Sequence, residues 1–175
     1  MKKIISFALL SIAIGITVIS SNVNSESRVL AQAENINFTI NKNLRSKHPA
    51  YYYQQAQKLF AQGNKDQAAF VFYLGQLRYR FLLQTNQSEK GALILFNTLQ
   101  ETVGRPINKY LATKPDNWIR IIDQVLVWEG QNPNSFTDES KFRNQYIQTT
   151  QGLHKLRDYI EQNKQKIIKQ VNQDK

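Results

Sequence analysis

Asp66 to Gln84 reads DQAAFVFYLGQLRYRFLLQ. Ala68, Ala69, Phe70, Val71, Phe72, Tyr73, Leu74, Leu77, Phe81 and Leu82 make it apolar on nearly every side, and a helix of that kind belongs at the centre of a bundle. Its neighbours read as helices too. Upstream, Pro49 to Gln62 carries Pro in its first turn and Tyr52, Ala56, Leu59 and Phe60 at helical spacing, with Gly63 placed to end it. Downstream, Ser88 suits an N-cap for a helix whose Ala92, Leu95, Phe96, Leu99 and Val103 form one face before Gly104 and Pro106 stop it. Residues 105–114 read as a connector. Pro115 and Asp116 open a fourth helix dominated by Trp118, Ile121, Ile122, Val125, Leu126 and Trp128, which Gly130 and Pro133 end. Thr137, Asp138 and Glu139 then cap a last, long helix. No convincing strand pair occurs, so the expected fold is all-α, a compact helical bundle of about five helices with a long C-terminal one.

On that last helix Phe142, Tyr146, Thr149, Leu153, Leu156, Ile160, Asn163 and Ile167 alternate four-three, the spacing of a coiled-coil seam. A core-facing stripe has the same spacing. The polar Thr149 and Asn163, and a mid-helix Gly152 costing roughly 1 kcal/mol, favour packing on the protein's own bundle.

Residues 1–33 have the pattern of a signal peptide. Lys2 and Lys3 precede an apolar run from Ile4 to Ile19, and Ala31-Gln32-Ala33 offers a small-x-small cleavage site. The alternative is an uncleaved anchor, for which the run is short against the ~20 residues a bilayer needs. Residues 34–47 are polar and aperiodic and read as a flexible leader, which leaves 48–175 as a single all-α domain. The expected address is outside the cytoplasm, the periplasm ahead of the extracellular space.

The chain has no cysteine, so disulfides, thiolate nucleophiles and Cys-ligated metals are excluded. Its formal net charge is +10, and removing Lys2, Lys3, Arg28 and Glu26 with the signal segment leaves +8.

Residues 49–82 form a helix-turn-helix unit that resembles a single tetratricopeptide repeat within a small exported bacterial protein. With Gly63 as the turn glycine, Tyr52, Ala56 and Leu59 take the large, small and large positions of the first helix. Ala68, Phe72 and Gly75 take the small, aromatic and small positions of the second. Arg80 stands where the repeat closes with proline, and no second copy follows. The resemblance implies protein binding, although one unit does not build the concave groove of a repeat array. The run Ala68–Phe81 is also similar to segments of small exported bacterial proteins of unassigned function.

Groups for catalysis are few. His48 and His154 have no carboxylate nearby in sequence, and no HExxH, GxSxG, P-loop or EF-hand pattern occurs. A glycan hydrolase using Glu129 as its acid, with Glu101 or Asp123 as partner, is the enzyme to weigh. The competing assignment pairs those acids with Arg78 and Arg80, which lie on an otherwise apolar helix and require counter-charge. The expectation is therefore no enzyme, no cofactor and no metal.

What remains is binding. A partner protein in the envelope is the first expectation, met through whichever of Tyr51, Tyr52, Tyr53, Arg78 and Arg80 are exposed, since Tyr and Arg are enriched at binding hot spots. The alternatives are an anionic polysaccharide or lipid head-group surface met by the basic face, and an immunity-type inhibitor of an exported toxin. Nucleic acid is not expected in that compartment.

Overall fold

The computed structural model describes residues 42–85 and 90–173. The signal-peptide reading, the first part of the leader and the Ser88 cap lie outside the described residues. A short 3-10 turn, Lys42–Ser46, leads into α1 (Ala50–Ala61), α2 (Lys65–Gln84) and α3 (Ala92–Leu99). A π turn, Gln100–Gly104, joins α3 to α4 (Arg105–Ala112), and α5 (Pro115–Gln131) and α6 (Arg143–Gln173) complete the chain. Because α3 and α4 are two ends of one bent rod, the bundle consists of five rods. Among the described residues there is no strand.

The central helix is where the sequence puts it. Along α2, thirteen residues from Ala68 to Leu82 are buried, and α1, α4, α5 and α6 all pack on it. The α1–α2 hairpin is the closest pair. Gly63 turns it with φ +84°, and Ala56, Ala68 and Gly75 let the axes approach. A Cβ on Gly75 would lie 2.5 Å from Cβ of Tyr52, so only glycine fits that crossing.

Three expectations are corrected. Residues 105–112 form α4 rather than a connector, because the π turn places Pro106 in the first turn of a new α-helix, where its missing N–H breaks no ladder. The leader ends before Lys42: Leu44 is buried, its carbonyl accepts a 2.7 Å hydrogen bond from the Tyr52 hydroxyl, and Arg45 binds the Asn132 side chain. Leu95 lies at the surface, since α3 touches the body only along the narrow seam of Ala92, Phe96 and Leu99.

The heptad stripe of α6 faces the bundle. Thr149, Leu153, Ile160 and Ile167 are buried, and Leu153, Ile160 and Ile167 join the one core that includes α1 to α5. Asp138 caps the approach to α6 by accepting from the backbone N–H groups of Ser140 and Lys141, while regular helix starts at Arg143. Those hydrogen bonds, that from the Ser140 hydroxyl first, hold the exposed Asp138 carboxyl below its ordinary range.

Candidate partner-binding face

Successive residues of a helix turn by about 100°. The three tyrosines of α1 therefore cannot share a face. Tyr51 is exposed, whereas Tyr52 and Tyr53 are fully buried. Tyr53 packs edge-on against Phe72 at 5.4 Å, and its hydroxyl accepts a 2.7 Å hydrogen bond from the Gln100 amide in the π turn. Arg78 and Arg80 are likewise separated, 200° apart on α2 by the same spacing. Arg78 points into the core and Arg80 out of it. Of the five residues singled out from sequence, Tyr51 and Arg80 are available at the surface and Tyr52, Tyr53 and Arg78 are not.

The buried three serve the interior. Arg78 Nη2 lies 2.8 Å from Glu129 Oε2 and Nε lies 3.0 Å from the same oxygen. Nη1 donates to the Tyr52 hydroxyl and Nη2 to the Asn132 carbonyl, both at 2.7 Å. The guanidinium also lies over the Trp128 ring, 5.3 Å from its centroid. One buried side chain thus ties α1, α2, the end of α5 and, through Tyr52, the entering chain at Leu44.

Glu129 is consequently occupied as a counter-charge. Burial pushes its carboxyl up to about 7, with Arg78 pulling the other way. Burial also opposes charge on Arg78, but Glu129 and Tyr52 outweigh it and hold the guanidinium above its ordinary range. The other two acids are engaged elsewhere: Asp123 with Arg157 at 3.3 Å and Glu101 with Arg105 at 3.7 Å. Among the described residues no group of three or more His, Asp or Glu is arranged to hold a metal ion.

A further buried residue, Tyr79, links α2 to the start of α3 and to His48. This buried tyrosine donates to the carbonyl of Ala92 at 3.1 Å, lies tilted against Phe96 at 5.2 Å, and meets the His48 ring edge-on at 5.4 Å. His48 in turn meets Phe136 edge-on at 5.3 Å. Phe136 thus reaches Tyr79 only by way of His48, whereas Phe96 of α3 meets Tyr79 directly. On α3, Leu93, Ile94 and Leu95 are 59%, 73% and 45% exposed, three consecutive large apolar side chains spread around the helix away from its seam. Phe136 is also exposed, and Arg80 rests its guanidinium 5.3 Å above the Phe96 ring at the side of this face.

Sequence reasoning missed Leu93, Ile94 and Phe136. The signal was present in the consecutive Leu-Ile-Leu at 93–95, which span too wide an arc for a seam one residue in four wide to cover.

The fold defines the class, an all-α helical bundle with no helix among its described residues long and apolar enough to cross a membrane. No family model matches the chain, and no curated protein or solved structure is significantly similar to it.

Proposed function

We propose that the chain is an exported, non-enzymatic binding protein of the cell envelope, and that it docks a partner protein on α3 through the exposed Leu93, Ile94 and Leu95, with the exposed Tyr51 and Arg80 as further candidate contacts. The observation that carries this is the exposure of three consecutive large apolar side chains on α3, whose own seam to the body is complete without them. Apolar and aromatic groups with an arginine beside them have the composition of an interface core. The charge of +8 left after the signal segment favours a partner with an acidic rim and disfavours a second copy of the chain. The tetratricopeptide-like α1–α2 hairpin fits this reading as part of the scaffold against which α3 packs.

The non-enzymatic part is supported by Glu129, the acid on which the hydrolase reading depends, being buried and committed to Arg78. One observation favours an anionic envelope surface as a second reading: Lys155, Lys166 and Lys169 are exposed along α6 and enter no ion pair among the described residues.

Affinity capture from envelope extract with tagged residues 34–175, washed at low and high salt, separates the two. A single protein retained at high salt in near-equal amount supports the first reading. Polymers or lipids released by salt support the second, because counter-ion release drives such binding.

A further inference from the structure

A cavity of about 500 Å³ opens between α4, the start of α5 and the C-terminal half of α6. That is within the ~300–1,000 Å³ of small-molecule sites. A bend in α6 makes it. Asn163 leaves helical geometry at φ −118°, ψ 15°, and its side-chain amide donates at 2.8 Å to the Tyr159 carbonyl, which covers a backbone acceptor at the bend. Leu156 and Ile160 line the cavity before the bend and Ile167 after it, with Trp118 of α5 as a further wall.

The polar rim has one character. Arg105, Asn108 and Lys109 fall at i, i+3 and i+4 on α4, and all border the cavity. The Trp118 indole donates to Tyr73 and Tyr73 donates to Asn108 Oδ1, both at 2.8 Å, so Asn108 has its NH₂ group left to offer. Among the described residues no carboxylate lines the cavity. Glu101 meets Arg105 from outside at 3.7 Å in a fully solvated pair, an interaction weak enough to be displaced.

We infer that this cavity binds a single-chain anionic amphiphile of the fatty-carboxylate class, its chain lying against Trp118, Ile160 and Ile167 and its carboxylate on Arg105, Asn108 and Lys109. Apolar walls supply the area and the cationic rim supplies the sign. The site is separate from the α3 face and does not depend on it.

Titration calorimetry and tryptophan fluorescence on the full chain test this with dodecanoate below its micellar range, dodecyltrimethylammonium and butyrate. Dodecanoate should bind one to one and shift the fluorescence, the cation of equal chain length should bind at least about tenfold more weakly, and butyrate should not bind. R105Q/K109Q should weaken dodecanoate by about tenfold with an unchanged melting temperature, and W118F should lose the optical response while heat is still released. Equal binding of the anion and the cation would overturn the inference, as would an R105Q/K109Q chain that binds dodecanoate like the parent. Loss of binding in L93N/I94N would also overturn it, by placing the amphiphile on α3.

Discussion

Arg78 on α2 and Glu129 on α5 meet at 2.8 Å in the interior, with 1% and 2% of their side chains exposed. The pair is asymmetric, because the same guanidinium also serves Tyr52 and Asn132. Replacing Arg78 by Met strands all of those acceptors and leaves Glu129 buried without its counter-charge. R78M should therefore lose roughly 3–5 kcal/mol of stability, read from denaturant unfolding. Glu129→Gln keeps an acceptor in place and should cost clearly less. Equal losses would mean that the guanidinium is not the hub.

The same pair sets a pH dependence. The folded-state pKa of Glu129, about 7, lies above its ordinary value of 4.5, so the folded chain holds the proton more tightly than the unfolded one. Its contribution is complete below the ordinary carboxylate range and is lost as pH rises through about 7. Unfolding followed from pH 5 to 8 should show stability falling with pH. E129Q should flatten that slope, and an unchanged slope would assign it to another group.

Two glycines should respond in opposite directions. A methyl at Gly75 would sit 2.5 Å from Cβ of Tyr52, an atom fixed to the α1 backbone, so G75A must push the hairpin apart and should cost roughly 1–3 kcal/mol. Gly152 is a mid-helix glycine on α6 with no atom within 4 Å of where its Cβ would stand. G152A should stabilise by roughly 0.5–1 kcal/mol through helix propensity. Thermal unfolding of both variants tests the pair.

Much of this bundle was legible in the chain because its strongest signals are local. The wholly apolar α2, the turn at Gly63 and the four-three stripe of α6 each needed one segment to read. Arg105-Pro106 was misread because a π turn changes helical phase without a sequence mark, and proline is harmless at the first turn it creates. Leu44 and Arg45 were missed because what orders them, Tyr52 and Asn132, is distant in sequence. Of the candidate contact residues, Arg78 and Arg80 stand two apart on α2, so helix geometry sends them to opposite sides, and only Arg80 reaches solvent.

On α3 the exposed residues should add little to stability beyond helix propensity. L93N/I94N/L95N should cost no more than about 1–1.5 kcal/mol, mainly the propensity penalty of three asparagines, because none of the three belongs to the core. A larger loss would mean that α3 depends on them for its own packing.

The most direct test of the central claim is to capture partners from envelope extract with tagged residues 34–175 and with L93N/I94N/L95N side by side, at high salt. The expected result is one protein retained in near-equal amount by the parent and absent from the variant. The same protein retained equally by both would show that the α3 face is not where the partner docks.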